Sequence, residues 1–429
     1  MQLYQHQIDV LEATKDLNKV GYFLDMGLGK TFVASEKMMQ LGEKLNLVIC
    51  QKSKVQDWID HFTEYYEVSV LDLTKPNAVK NWFNRNGIFL GDEPQVLVIN
   101  YDLLWRRPEL QRLRDFTLIC DESGLLMHET TKRTKAVMKL NFKNILLLSG
   151  TICGGRYENL WSQLHLLGWT ITKQMYWNQF INVEYLDMLD RSIPIVTGYK
   201  NVDRLKRKMK RYGCQFLKTD EVFDLPTQNF QKVFVPTSNE YRKFRKNKIV
   251  TFEDPYDHEN GYTLVGDTTL TRMLYERQLC GIYSEEKLKA FQDLVESTED
   301  RLIVFYNFTE ELNRLQTAVM SIGRPISVMN GFRKDLKNYE EKSDSVTFVQ
   351  YQAGAMGLNL QKACRMVFYS LPLSSELFEQ AKKRIHRINQ TKPCFYYLMI
   401  CKGSIEERIL STLEMRKDFT EKLFERWEE

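Results

Sequence analysis

Along the first 150 residues, short apolar runs alternate with longer stretches whose apolar positions recur at helical spacing. The runs at 21–24, 47–50, 96–101, 116–120 and 145–148 are short and uniformly apolar, as expected of strands buried on both faces. Between them, 32–41 and 55–62 predict helices. This alternation implies a parallel sheet with its working loops at the carboxyl ends of the strands. From residue 157 to about 222 the pattern changes to long, aromatic-rich segments read as helical, with Leu160, Trp161, Leu164 and Leu167 at core spacing. Leu225-Pro226-Thr227 reads as a linker, 241–248 as a basic and aromatic helix, and 253–263 as a polar surface loop. A second alternation follows, with strands at 301–306, 345–351 and 366–369 and a helix at 308–320. The expectation is an α/β protein with two parallel-sheet domains in tandem. The first covers 1–224, with a helical insertion after about 157; the second covers 225–429, with a helical and basic insertion at about 237–295.

The residues that carry chemistry fall at the predicted strand ends. After the first strand comes Met26-Gly27-Leu28-Gly29-Lys30-Thr31. Gly27 and Gly29 allow a tight turn whose N–H groups converge on an anion, and the following helix adds the positive end of its dipole. Lys30 is placed to reach the β- and γ-phosphates of a nucleotide, and the Thr31 hydroxyl to bind its Mg²⁺. Leu24 stands where the strict phosphate-loop spacing has its first glycine. About twenty residues upstream, Gln7 offers an amide donor and acceptor suited to an adenine edge. Asp121-Glu122 follows the 116–120 strand directly, which suits a Mg²⁺-holding carboxylate beside a general base. Ser149-Gly150-Thr151 ends the next strand. In the second half, Arg384 and Arg387 are three apart, so on a helix they share one face.

Composition limits the partners. A net charge of +4 over 429 residues is small, so any nucleic-acid contact requires a local basic surface; the densest run is 204–211. Eight cysteines without a C-x-x-C pair, and six histidines without ligand spacing, read as reduced thiols and no metal cluster. No apolar run reaches membrane-spanning length, and a cytoplasmic protein is expected.

In this order the motifs resemble the superfamily-two nucleic-acid motors, most closely the Swi/Snf-type remodeller and translocase ATPases. The resemblance rests on 26–31, Leu146-Leu147-Leu148-Ser149-Gly150-Thr151, Glu158-Asn159-Leu160-Trp161-Ser162, the stretch 380–393 from Gln380 to Pro393, and Ser404-Ile405-Glu406-Glu407-Arg408-Ile409-Leu410. It implies two RecA-like domains with ATP and Mg²⁺ bound between them and DNA across both, duplex favoured over single-stranded or forked DNA. It assigns Gln7 to the adenine, and Gly27, Gly29, Lys30, Thr31 and Gly357 to the nucleotide. Thr31 and Asp121 fall to Mg²⁺, Glu122 is the base, and Ser149, Thr151 and Gln380 couple hydrolysis to movement. Arg384 and Arg387 become arginine fingers, while Lys52, Ser53 and Asn359 become nucleic-acid contacts.

The chain departs from the family in two places: Ser123-Gly124 replaces the usual ending of the acidic motif, removing its histidine, and Asn389 stands in place of a glycine before Gln390. The bare core suggests a compact bacterial or phage member acting in replication, recombination or repair. A strand-separating helicase is the near alternative. A nucleotide-gated DNA-binding protein with weak ATPase activity is the alternative of another class.

Overall fold

The computed structural model describes residues 2–84, 93–188, 191–252, 262–351 and 358–424. The chain divides into two compact units; one runs to Phe223 and takes in the chain from Asp418 onward, and the other is Asp224–Lys417.

The first unit is built on β1 (Lys19–Leu24), β2 (Leu45–Cys50), β3 (Ser69–Asp72), β4 (Gln95–Asn100), β5 (Thr117–Cys120) and β6 (Asn144–Leu148). A hairpin follows, β7 (Ile181–Met188) with β8 (Arg191–Tyr199), and then β9 (Cys214–Leu217). Seven strands form one wholly parallel sheet in the order β3-β4-β2-β5-β6-β1-β9. Every residue of β2, β4, β5 and β6 is buried, as the uniformly apolar runs require. β3 escapes sequence reading because it is a four-residue edge strand with one exposed and three half-buried residues.

The helical reading of 157–222 is corrected at 214–217, which is β9 of the main sheet, and over 181–199. The latter residues form β7 and β8, a two-stranded antiparallel sheet with a register shift at Asn182 and Val183. Pro194 pairs with Tyr185 inside it. Proline disfavours a helix interior, and β-branched Ile181, Val183, Ile195, Val196 and Thr197 favour extended backbone.

The second unit carries β10 (Gln228–Val235), β11 (Ile249–Phe252), β12 (Tyr262–Val265), β13 (Leu302–Tyr306), β14 (Ile326–Met329), β15 (Lys334–Asp335), β16 (Val346–Gln350), β17 (Arg365–Phe368) and β18 (Cys394–Cys401). Its sheet runs β10-β18-β17-β13-β16-β14-β15 and is parallel except at the β14–β15 edge. Both units therefore have the parallel α/β architecture expected. β11 and β12 pair as a separate hairpin. The surface loop read at 253–263 lies mostly outside the described residues, and Tyr262 and Thr263 belong to β12. Inside this unit Lys287 donates to Glu406 at 2.6 Å with both side chains buried, so each charge neutralises the other where water does not reach.

Three helices of the first unit set the geometry that matters below: α1 (Gln5–Ala13), α2 (Lys30–Leu41) and α3 (Val55–Tyr65). Lys37 of α2 is fully buried, and its ammonium donates to the Thr14 carbonyl at 2.6 Å and the Lys15 carbonyl at 2.9 Å. A cation at these carbonyls, just past the end of α1, also meets the negative pole of that helix. Ser35 of α2 lies 3.0 Å from His61 Nε2 of α3, in a cluster with Phe32, Trp58, Phe62, Tyr65 and Tyr66. Among the described residues, no helix is long and apolar enough to cross a membrane.

Burial pushes the His61 imidazole down to about 4. The unfolded chain, with histidine near its usual ~6.5, therefore binds this proton first. Stability is retained above about pH 6.5 and falls as pH drops towards about 4, by roughly 2–3 kcal/mol from this group alone. Thermal melts across this range should show the loss, and His61→Gln should flatten it; equal slopes for both proteins would refute the assignment.

Candidate functional site

β1, β6 and β5 are consecutive neighbours in the first sheet, so the loops leaving their carboxyl ends are brought side by side. These loops carry Lys30, Ser149-Gly150-Thr151 and Asp121-Glu122. β1 lies between β6 and β9, while the chain returns to form β2 on the far side of β5. Such a change of direction opens a crevice at the strand ends of a parallel sheet.

The turn before α2 needs its glycines. Gly27 has φ 90° and Gly29 φ 72°, and Gly29 caps α2 in the left-handed region. A Cβ on Gly29 would stand 2.1 Å from Gln7 Nε2, so the glycine is also required by close approach. Gln7 is buried; its Nε2 donates to the Leu28 carbonyl at 3.2 Å, and its Oε1 accepts from the Tyr4 N–H at 2.9 Å. His6 Nε2 lies 3.1 Å from the same Leu28 carbonyl. One N–H and one lone pair of the Gln7 amide remain for a base edge.

Lys30 Nζ donates to the carbonyls of Leu24 at 2.9 Å and Asp25 at 3.1 Å, which aims the ammonium back over its own loop. Gly150 adjoins it, for a Cβ there would lie 3.6 Å from Lys30 Nζ and 3.5 Å from Met26 Cγ. Thr31 is half-buried in the first turn of α2.

Asp121 is held on three sides. Trp58 Nε1 of α3 donates to Oδ2 at 3.0 Å, the Glu122 N–H donates to Oδ1 at 3.0 Å, and the Tyr101 hydroxyl donates to the Asp121 carbonyl at 2.8 Å. Burial pushes the carboxyl up from its usual range, while Trp58 and the Lys30 charge pull it back. The Asp121 carboxylate and the Thr31 hydroxyl are hard oxygen donors of the kind Mg²⁺ prefers, so these residue types fit that ion. Glu122 has φ 51° and ψ 54°, a left-handed conformation that costs a non-glycine residue about 1 kcal/mol.

Behind Glu122 the chain turns inward. Ser123 and Gly124 are buried, and the Ser123 hydroxyl donates to Gln163 Oε1 at 2.9 Å. Gln163 Nε2 in turn donates to the Ile152 carbonyl at 2.7 Å. Gln163 thus joins the acidic strand end to the chain just past Thr151. Ser149 Oγ accepts from the Thr151 N–H at 3.1 Å and donates to the Thr151 carbonyl at 2.8 Å, closing that turn on itself. The Thr151 hydroxyl is buried without a hydrogen-bond partner among the described residues. Lys52 and Ser53 are exposed in a short 3-10 turn after β2, the neighbour of β5.

In the second unit the shared helical face of Arg384 and Arg387 is corrected. The helix ends at Lys382, and both arginines lie in the turns beyond it. Arg384 is buried; its Nη1 donates to the Leu358 carbonyl at 3.3 Å, and its own carbonyl accepts from the Leu360 N–H at 3.2 Å. This fastens it to the segment holding exposed Asn359. Arg387 is half-buried, and burial pushes its guanidinium down. Gln380 stays on the helix and donates to Glu376 at 3.3 Å, apart from the Leu358 and Leu360 bonds that hold Arg384. Gly357 lies outside the described residues. Asn389 has φ 73°, the left-handed conformation a glycine would adopt and one that asparagine tolerates better than most residues. Beside it Gln390 Nε2 lies 3.0 Å from each of the carbonyls of Gln361, Ala363 and Ile385.

Sequence reasoning missed Trp58, Tyr101 and Gln163. The first two are distant from Asp121 in the chain, and Gln163 is hidden in a stretch that reads as apolar helix.

The chain matches the SNF2-related domain family over residues 6–283 and the helicase conserved C-terminal domain over residues 286–389. It is 23% identical over 431 residues to the SWI/SNF-related matrix-associated actin-dependent regulator of chromatin subfamily A member 1 of Mus musculus, covering 91% of this chain and 40% of that protein. It is 22% identical over 444 residues to an uncharacterized ATP-dependent helicase, MG018, of Mycoplasma genitalium, covering 96% and 41%. It is 24% identical over 501 residues to the DNA repair and recombination protein RDH54 of Saccharomyces cerevisiae, covering 96% and 52%. The chain thus spans about two fifths to one half of the length of these curated relatives. A solved structure, the Sulfolobus solfataricus SWI2/SNF2 ATPase core in complex with dsDNA, aligns with 98% of this chain and 92% of its own at 17% identity and a TM-score of 0.46.

Gln163→Leu strands the buried Ser123 hydroxyl and Ile152 carbonyl, which should destabilise the protein by about 2–4 kcal/mol. The double variant with Ser123→Ala should recover part of that in thermal melts, and simple additivity would show that the two side chains are not coupled. Asn389→Gly should leave the melting temperature nearly unchanged, whereas Asn389→Val should cost about 1–2 kcal/mol. Equal melting temperatures for these two variants would contradict the backbone assignment.

Proposed function

Since this chain belongs to the SNF2-related family, we propose that it is an ATP-dependent motor that moves along DNA. The observation that carries this reading is the convergence of Lys30, Ser149-Gly150-Thr151 and Asp121-Glu122 at three adjacent strand ends.

In this reading the loop N–H groups around Gly27 and Gly29 receive the phosphates, and Lys30 exchanges two carbonyl partners for phosphate oxygens. Gln7 takes the adenine edge. Thr31 and Asp121 would hold Mg²⁺, which supplies charge neutralisation at the phosphates. Glu122 accepts a proton from the attacking water, and its left-handed backbone sets the direction of its carboxylate. Ser149 and Thr151, one turn away from Lys30 through Gly150, are the groups that sense the phosphate end. The same reading gives Arg384 and Arg387 the finger role, with Gln380 in coupling. Gly357 is assigned to the nucleotide, and Lys52, Ser53 and Asn359 to DNA.

Duplex DNA is the favoured track, and replication, recombination or repair in a bacterium or phage the favoured setting. The bacterial relative and the eight cysteines, none of them in a disulfide, support a cytoplasmic protein of this kind. Strand separation is a second reading, favoured by the β7–β8 hairpin, which pairs with no other strand among the described residues. A nucleotide-gated DNA binder with slow turnover is a third, favoured by the buried Ser123-Gly124 that follows the acidic pair.

Steady-state ATP hydrolysis separates the three. Duplex DNA should accelerate wild-type turnover, and Glu122→Gln should lower it by at least about a hundredfold, the size expected for loss of a general base. Preference for forked or single-stranded DNA would select the helicase reading. Slow turnover that no nucleic acid accelerates would sink the motor and leave the DNA binder.

A further inference from the structure

The helix Val202–Arg211 joins the β7–β8 hairpin to β9, the strand that pairs with β1 and so flanks the phosphate loop. With Lys200 just before it, this stretch holds seven basic residues and one acidic residue over 200–211. Leu205 and Met209, one turn apart, are fully buried and fix how the helix sits. Arg204, Arg207, Lys208 and Arg211 are spaced i, i+3, i+4 and i+7, which puts them on one stripe turned away from the buried pair. Arg204, Arg207 and Arg211 are exposed, and Lys208 is half-exposed.

This stripe has an unbalanced charge. None of these four side chains pairs with a carboxylate among the described residues; Asp203, the acidic residue of the helix, stands in its first turn, four residues before Arg207, and is not ion-paired with it. Some exposed cations elsewhere on this unit have partners: Lys15 meets Glu12, Lys143 meets Glu43, and Lys173 meets Glu129. Four like charges on neighbouring turns repel one another, a cost that an external polyanion removes. At 1.5 Å rise per residue the stripe extends about 10 Å, enough to face two or three consecutive phosphates.

We infer that the outer face of Val202–Arg211 is a contact for the phosphate backbone of DNA, separate from the nucleotide site. It rests on the DNA-motor reading and adds to it a named surface that is independent of base sequence. Phosphate contacts of this kind position a protein on its track and carry no base information.

The test is binding of a labelled 30-base-pair duplex by fluorescence anisotropy over a salt series. The quadruple variant Arg204→Gln, Arg207→Gln, Lys208→Gln, Arg211→Gln should bind about tenfold more weakly near ~0.1 M salt, with a log–log salt slope shallower by about 2. Its basal ATP hydrolysis and melting temperature should match wild type. A variant with the same charge change elsewhere, Lys289→Gln, Lys334→Gln, Lys337→Gln, Lys342→Gln, should keep the wild-type slope. On the unaltered protein, saturating duplex should protect Lys208 from acetylation several-fold. Wild-type slope in the quadruple variant, or no protection at saturation, overturns the surface while leaving the motor reading intact. Failure of wild-type protein to bind any duplex overturns both.

Discussion

A half-buried carboxylate at the end of a buried strand is the constraint on which the first unit turns. β5 is apolar and covered on both faces, so whatever follows it emerges into a low-dielectric region where an unpaired charge is costly. Asp121 occupies that place, with an indole, a backbone N–H and a lysine charge as compensation. Each compensating group comes from a different part of the chain: Trp58 from α3, Glu122 from the next residue, Lys30 from the start of α2. In the proposed reading, the place a cation would take is thus partly built by the chain itself. The residue whose N–H reaches Asp121 is Glu122, and it also carries the strained left-handed backbone.

The parts legible in the sequence were those governed by local rules. Uniformly apolar runs gave the central strands, because burial on both faces leaves no room for alternation. The loop from Met26 to Thr31 was readable because its glycines, lysine and threonine answer to one ligand chemistry. The 181–199 hairpin was misread because aromatic and aliphatic residues dominate both helices and strands, and Pro194 was the local signal that should have decided it. The turn around Arg384 and Arg387 was misread for a different reason. Continuing the helix past Lys382 is locally reasonable, and what ends it is tertiary: Gln390 stitches the turn to carbonyls of 361–363, and Arg384 fastens to Leu358. Trp58 and Gln163 left no sequence signal because their roles exist only once distant segments have packed.

The two departures from the family pattern have different physical weight. Asn389 keeps the backbone conformation of the glycine it replaces, so the substitution is nearly silent in geometry. Ser123-Gly124 changes what the acidic motif touches. A side chain that could report outward from this position is absent, and the serine is instead tied inward through Gln163 to the chain beside Thr151. The segment after the acidic pair and the neighbouring strand end are therefore tied by hydrogen bonds wholly inside the first unit.

Lys37 carries a consequence for the spacing of Gln7 and Lys30. Its buried ammonium clamps the end of α1 to the middle of α2, so the helix bearing Gln7 and the helix opening with Lys30 make one rigid bracket. In the reading proposed for this chain, a base at Gln7 and phosphates at Lys30 would meet groups whose separation is fixed by the fold rather than by the ligand.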